Sequence, residues 1–106
     1  MSSTLVRVRA LVDCGEVLIS AHGYRELASD GILVDDVIAG LGNGVLIEDY
    51  PAYQKEACVL VLQRDSSGRA IYVVWGIPEG RPSPAVMVTA YRPDPKRWID
   101  DVRRRK

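Results

Sequence analysis

The spacing of apolar residues in the first half of the chain predicts helices. The most regular stretch has apolar side chains at positions i, i+3, i+4 and i+7, and these are Val34, Val37, Ile38 and Leu41. Side chains at this spacing share one face of a helix. The glycines Gly42 and Gly44 predict where this helix ends.

Two earlier segments carry weaker forms of the same period. A helix is predicted between Ser20, a suitable N-cap, and Gly31. Its predicted apolar stripe consists of Ala21, Tyr24, Leu27 and Ala28. Residues 17–19, just before it, form a short apolar run that predicts a strand. Residues 3–14 have apolar side chains at helical spacing behind Ser3 and Thr4, but the alternation of residues 6–9 also fits a strand.

In the second half of the chain the apolar pattern changes to that of strands. Four segments rich in aliphatic residues predict an antiparallel meander, and they are residues 45–48, 57–63, 70–77 and 85–91. Residues 65–68 predict a hairpin turn, and the prolines of residues 78–84 exclude that segment from a sheet. Asp94 and Pro95 are suited to begin a closing helix. The predicted fold class is therefore α+β.

Composition narrows the class of protein. The 106 residues fit one domain, because a chain of this length buries roughly two-thirds of its unfolded surface on folding. No apolar run reaches the roughly 18 residues of a membrane helix, and no signal-peptide pattern precedes Arg7. The two cysteines, Cys14 and Cys58, have no partner motif. Both are expected to be buried and reduced, as in a cytoplasmic protein.

The formal net charge of zero hides an asymmetry along the chain. Residues 1–53 carry three basic and eight acidic side chains, whereas residues 54–106 carry eleven basic and six acidic ones. Basic residues are dense at the end of the sequence: Arg92, Lys96, Arg97, Arg103, Arg104, Arg105 and Lys106. Such an end can attract phosphates or an acidic protein surface, and it can equally be a solvated tail.

The single histidine, His22, is the first candidate for proton transfer near neutral pH. On a helix that begins after Ser20, it shares one polar stripe with Arg25 and Glu26. A base, a cation and a carboxylate on one stripe can serve catalysis. They can equally form ordinary ion pairs at the surface of a helix.

Further candidates lie at the ends of predicted strands. Glu48 and Tyr50 come just before Pro51, where a carboxylate can act as a base. At the end of the last strand, Tyr91 can donate a proton and Arg92 can clamp a phosphate. The alternative is that these are ordinary strand ends. No motif has metal-ligand spacing, and neither a glycine-rich phosphate loop nor a serine elbow is present, so no metal or cofactor is expected.

Four stretches of the sequence resemble a family of small bacterial domains of unknown function that is grouped with the RelE/ParE-type toxin superfamily. They are Ile19-Ser20-Ala21-His22-x-x-Arg25, Gly31-Ile32-x-x-Asp35-Asp36-Val37, Gly44-x-x-Ile47-Glu48-Asp49-Tyr50-Pro51 and Thr89-Ala90-Tyr91-Arg92-Pro93-Asp94-Pro95-x-x-Trp98. The resemblance implies two helices packed on one face of an antiparallel sheet of four to five strands, with further helices at both ends of the chain. Three positions depart from the family: Asp30 replaces a common basic residue, Tyr72 replaces a common histidine, and Leu33 replaces the usual polar cap before the second helix.

Characterised relatives in the superfamily include mRNA-cleaving and gyrase-poisoning toxins that an antitoxin holds. The resemblance therefore implies a metal-independent endoribonuclease. His22 or Glu48 would deprotonate the 2′-hydroxyl of the RNA, Arg25 or Arg92 would neutralise the phosphorane, and Tyr91 would protonate the leaving oxygen. The candidate substrate-binding residues are Arg92, Tyr50 and Arg97.

Two other functions are compatible with the same residues. The domain can be a non-catalytic module that binds an acidic protein, such as an antitoxin, through residues 97–106. It can also bind RNA or the ribosome without cleaving it. The catalytic hypothesis requires His22 and Arg25 to lie at the same edge of the sheet as Glu48, Tyr50 or Tyr91. Their separation should be on the order of 10 Å, because proton transfer requires hydrogen-bond contact.

Overall fold

The computed structural model describes residues 2–50 and 56–93. The elements in this part are α1 Ser3–Asp13, β1 Val17–Ile19, α2 Ala21–Asp30, α3 Val34–Gly40, a 3₁₀ turn Leu41–Asn43, β2 Val45–Tyr50, β3 Glu56–Arg64, β4 Ala70–Pro78 and β5 Ala85–Tyr91. Each element predicted before residue 92 is present, and the first segment is a helix. The predicted closing helix at Asp94 and Pro95 lies outside the described residues.

The five strands form one mixed sheet in the order β1-β5-β4-β3-β2. Strands β2 to β5 pair antiparallel, as predicted. At one edge, however, β1 pairs parallel with β5, and Val17 lies opposite Ala85. The expectation of a purely antiparallel sheet is therefore wrong at this edge. Apolar spacing identifies a strand, but it does not identify a partner at the far end of the chain.

The helices place their apolar side chains against the sheet. α1 and α3 contact β3, and α1 also contacts β4, whereas α2 lies along β5. The shared core includes Val8 of α1, Val37 of α3 and Trp75 of β4, all of which are completely buried. Leu27 of α2 belongs to the same core, and α2 lies along β5.

A buried glutamine holds α3 on the sheet. The side-chain N–H of Gln63 donates to the Val37 carbonyl oxygen over 2.7 Å. Its side-chain oxygen accepts the indole N–H of Trp75 over 2.8 Å. Because both ends of the amide have partners, this polar side chain can be buried without leaving its donor or acceptor unsatisfied.

The ends of the elements follow ordinary capping chemistry. Ser2 caps α1, because its hydroxyl oxygen accepts the Leu5 N–H over 3.1 Å, whereas the sequence suggested Ser3 or Thr4. The predicted boundaries of α2 are confirmed, since Ser20 is its N-cap and Gly31 ends it with a φ of 65°. These two residues fix where α2 starts and stops, and so where its polar side chains stand.

Candidate functional site

Ser20 positions the start of α2 against β5. Its hydroxyl oxygen accepts the Gly23 N–H over 2.9 Å, and its O–H donates to the Val88 carbonyl oxygen over 2.8 Å. Its backbone N–H donates to the Met87 carbonyl oxygen over 3.1 Å. One residue therefore satisfies a helix terminus and two carbonyl groups of β5, which fixes the positions that follow it.

The predicted polar stripe of His22, Arg25 and Glu26 is exposed on α2. The imidazole Nε2 of His22 lies 3.7 Å from the carboxylate Oε1 of Glu26, and 56% of the His22 side chain is accessible. Arg25 is exposed as well. This arrangement can hold a proton acceptor beside a cation at the protein surface.

The apolar stripe predicted for α2 is only partly correct. Leu27 is buried, but Tyr24 is 56% exposed, and Ala21 and Ala28 also face solvent. The helix instead contacts β5 through Gly23, where a Cβ atom would overlap Met87 Cε and lie 3.0 Å from the Met87 carbonyl oxygen. Close packing of a helix on a strand requires a residue without a side chain at this point. The sequence signal was a glycine inside an otherwise helical pattern.

Glu48 and Tyr50 lie on β2, at the edge of the sheet opposite to the one that α2 contacts. β3 and β4 separate β2 from β5. At about 4.8 Å per strand, the separation is about 14 Å. Their expected placement beside His22 is therefore wrong, and the cause is the strand order. In an antiparallel meander, β2 and β5 also run in opposite directions, so Tyr50 and Tyr91 lie at opposite ends of the sheet.

Tyr91 lies near the wrong end of α2 to meet His22. The start of α2 is bonded to Val88, whereas its last residue, Asp30, is bonded to Arg92. His22 and Asp30 are about 12 Å apart along the helix axis at 1.5 Å per residue. The rings of Tyr91 and Tyr72 lie side by side instead, with centroids 5.5 Å apart.

Arg92 forms an internal ion pair with Asp65. The guanidinium Nη2 lies 2.8 Å from Asp65 Oδ2, and the two side chains are only 17% and 6% exposed. The second carboxylate oxygen accepts the backbone N–H groups of Ser67 and Arg69, each over 2.9 Å. The Arg69 N–H is the main cause that lowers the pKa of Asp65. Burial opposes it, and Arg92 and the Ser67 N–H lower the pKa further.

This ion pair changes the role expected for Arg92. Its positive charge is compensated by Asp65 inside the fold, so it is poorly placed to clamp a phosphate. The backbone N–H of Arg92 donates to Asp30 Oδ2 over 3.0 Å. Asp30, which stands where a basic residue was expected from the resemblance, thereby ties the end of α2 to the end of β5. Sequence reasoning missed this link because its partners are distant along the chain.

The remaining candidates have simpler outcomes. Arg97 lies outside the described residues. Within residues 2–50 and 56–93, no group of three His, Cys, Asp or Glu side chains could hold a metal ion.

Cys58 is buried, and burial, with the nearby Glu56 carboxylate, raises the pKa of its thiol to about 11. Cys14 is exposed, so its expected burial is wrong, because it caps the end of α1 at the surface. In the described part of the chain, no helix has the length and apolarity to cross a bilayer.

Most of the chain matches a protein family. Residues 19–92 match DUF4258, a domain of unknown function. Comparison with curated proteins found no match, and comparison with solved structures found none either. The matched segment runs from the end of β1 through α2 and the whole meander to Arg92, so it contains the stripe on α2 and the Asp65–Arg92 pair. The chain belongs to the DUF4258 family of domains of unknown function.

Proposed function

We propose that this domain is a non-catalytic interaction module that binds an acidic surface of a partner protein. The observation that carries the proposal is a pair of exposed apolar side chains where β1 and α2 form the edge of the sheet. Leu18 and Tyr24 are each 56% exposed. Tyrosine is among the residues that most often anchor protein interfaces, because it buries a large rigid surface at a small entropic penalty.

The distribution of charge favours an acidic partner. Arg25 is exposed on α2, next to Tyr24. In addition, the last fifteen residues of the sequence carry most of the basic side chains of the second half. Arg92 does not add to this charge, because Asp65 compensates it. Complementary charge of this kind speeds association and makes it sensitive to salt.

The separation of the catalytic candidates also supports binding over catalysis. General acid–base catalysis requires base, cation and acid within hydrogen-bond reach of one substrate. Glu48 lies across the sheet from α2, and Tyr91 lies near the far end of that helix. A single bound nucleotide would not reach His22 together with either of them.

The test is affinity purification of the full chain from its native host, followed by binding measurements with the purified partner. The double variant Leu18→Ser/Tyr24→Ser should weaken binding at least tenfold. The matched control Val6→Ser, at a 50% exposed position of α1, should leave it unchanged. Binding that the double variant retains in full, or that does not weaken with salt, would contradict the proposal.

A second candidate is the metal-independent endoribonuclease that the resemblance to RelE/ParE-type toxins suggests. The observation in its favour is the exposed imidazole of His22, 3.7 Å from Glu26. In this case His22 accepts the proton of the 2′-hydroxyl as its oxygen attacks the phosphorus, and Arg25 stabilises the phosphorane. The bond to the 5′-oxygen then breaks, and this oxygen takes a proton from water and leaves a 2′,3′-cyclic phosphate. RNA should then be cut in EDTA, and His22→Ala should reduce cleavage about a hundredfold or more. The control is Ser29→Ala on the same helix, and full activity of His22→Ala would remove His22 from the mechanism.

A further inference from the structure

Strand β2 forms the edge of the sheet opposite β1. It pairs with β3 on one side, and no strand of the described segments lies on its other side. Its six residues span about 20 Å. Backbone N–H and C=O groups along the outer side of an edge strand point away from the sheet, where they form a template for another strand.

Two apolar side chains of β2 are exposed at this edge. Val45 is 58% exposed and Ile47 is 37% exposed. Edge strands are commonly protected by lysine, proline, other charges or a bulge. β2 has no lysine or proline, so its protection consists of Glu48, Asp49 and a bulge. A register shift between Leu46 and Glu48 leaves Ile47 as an extra residue. Bulges of this kind re-aim a side chain, and here the re-aimed side chain is apolar.

A cavity of about 430 Å³ opens at the start of this strand. Val45 and Leu62 supply apolar walls, and Asp36 supplies a carboxylate. Arg64 also lines the cavity, with its Nη1 donating to the Gly68 carbonyl oxygen over 3.1 Å. The Asp36 carboxylate accepts the Ser66 hydroxyl over 3.2 Å. Peptides that add to a sheet edge obtain specificity by placing alternate side chains in such pockets. This cavity combines apolar walls with the Asp36 carboxylate, which suits a long side chain that carries a cation at its end.

The charges of β2 identify the kind of strand that it accepts. Glu48 is half-buried and Asp49 is exposed, and β2 has no basic residue. If a second copy of the chain paired antiparallel through β2, any register that sets the carboxylates diagonally would bring them to about 7–8 Å. Like charges at this distance disfavour self-pairing, whereas a basic strand is attracted.

We propose that β2 is a docking edge for an extended basic segment of another protein, in which lysine or arginine alternates with apolar residues. The segment pairs with the backbone of β2, places apolar side chains against Ile47, and directs its cations to Glu48 and to the cavity that Val45 and Asp36 line. This contact goes beyond the proposed function, since it uses the opposite edge of the sheet and a partner of opposite charge.

The experiment measures binding of a fluorescent eight-residue peptide in which lysine and valine alternate. A block peptide of four lysines followed by four valines has the same composition and charge, but it cannot present one apolar and one basic face as a strand. The full chain should bind the alternating peptide at least tenfold more tightly than the block peptide. Amide NMR shifts should change first along residues 45–50.

Variants separate this edge from general charge attraction. Ile47→Lys/Asp49→Lys should weaken binding at least tenfold, whereas Val6→Lys/Asp13→Lys, with the same charge change on exposed positions of α1, should leave it within twofold. Leu18→Ser/Tyr24→Ser should bind the peptide normally, which distinguishes this proposal from the proposed function. Equal binding of the two peptides, or shift changes confined to another surface, would overturn it. A dimer of the chain that Ile47→Lys/Asp49→Lys dissolves would also overturn it.

Discussion

At one edge of the sheet, β1 and then α2 lie beside β5. At the opposite edge, β2 pairs with β3 and with no other strand of the described segments. The first edge depends on specific contacts, namely the three hydrogen bonds of Ser20 and the close approach of Gly23 to Met87. The second edge is protected from unwanted strand pairing by a bulge at Ile47 and by the nearby carboxylates. A helix packed against an edge restricts which side chains fit there. An uncovered edge tolerates many substitutions without loss of the fold.

This difference separates stability from binding. Substitutions of Ser20 and Gly23 at the β1 edge should affect the free energy of unfolding, because these residues make hydrogen-bonded or buried contacts. The exposed Leu18 and Tyr24 at the same edge serve the proposed binding instead. Substitutions of the exposed residues on β2 should leave the fold intact and affect only association. The following predictions test that division, starting with the largest expected effect.

Gly23→Val should destabilise the domain by about 1–3 kcal/mol, since the added side chain forces α2 away from Met87. Urea denaturation measures the loss. Ala28→Val, on the exposed face of the same helix, is the matched control and should cost about 0.5 kcal/mol through helix propensity alone. Similar losses in the two variants would mean that close packing at position 23 does not limit stability.

Ser20→Ala should cost about 1 kcal/mol, because it removes the N-cap of α2 and the hydrogen bond to the Val88 carbonyl oxygen. Hydrogen exchange should show faster exchange of the Gly23 amide, with little change along β2. Ser29→Ala, at an exposed position of the same helix, is the control. Unchanged protection of Gly23 would argue against the assigned cap.

Acid should loosen the link between α2, β5 and the β3–β4 hairpin. The folded state lowers the pKa of Asp65 below its usual 3.8, so the stabilisation is complete above that value and is lost as the pH falls through the folded value. The urea midpoint should therefore fall below about pH 4 more steeply in the wild type than in Asp65→Asn. Asp35→Asn, at an exposed position, should follow the wild type. Parallel curves for the wild type and Asp65→Asn would refute the role of this carboxylate.

Val45→Thr should change the free energy of unfolding by no more than about 0.5 kcal/mol, since Val45 is 58% exposed. The matched change Val61→Thr places a hydroxyl at a fully buried position of β3 and should cost about 1–3 kcal/mol. Thermal or urea unfolding of both variants provides the comparison. A large loss at Val45 would show that β2 supports the fold through its outer side.

Much of the secondary structure was predictable, because caps, turns and apolar spacing act over a few residues. Ser20 and Gly31 marked α2, and residues 85–91 matched β5 in full. The partner of β1 was not predictable, since three residues of apolar pattern are compatible with any edge. The exposure of Tyr24 was not predicted either. Gly23 makes the close contact with β5, so the predicted stripe with Tyr24 does not face the sheet.

The candidate site shows the same limit. The stripe of His22, Arg25 and Glu26 follows from helix geometry, which is local, and the structure has it exposed as one group. The separation of Glu48 from this stripe depends on strand order, which no local pattern contains. The pairing of Arg92 with Asp65 joins the end of β5 to a hairpin turn, and either residue alone looks like an ordinary surface charge.

The parallel pairing of β1 with β5 has a consequence for how the chain folds. Residues 17–19 are synthesised early, but their partners at 85–87 come only after the rest of the sheet. Bringing residues 17–19 and 85–87 together closes a long loop and costs conformational entropy, which local contacts do not offset. Pairing over such a separation is therefore slow. The antiparallel meander can assemble from neighbouring strands, so β1 and the start of α2 should dock last. During synthesis, β1 and the start of α2 are therefore the elements that wait longest for their partner, because β5 is the last of the five strands to be made.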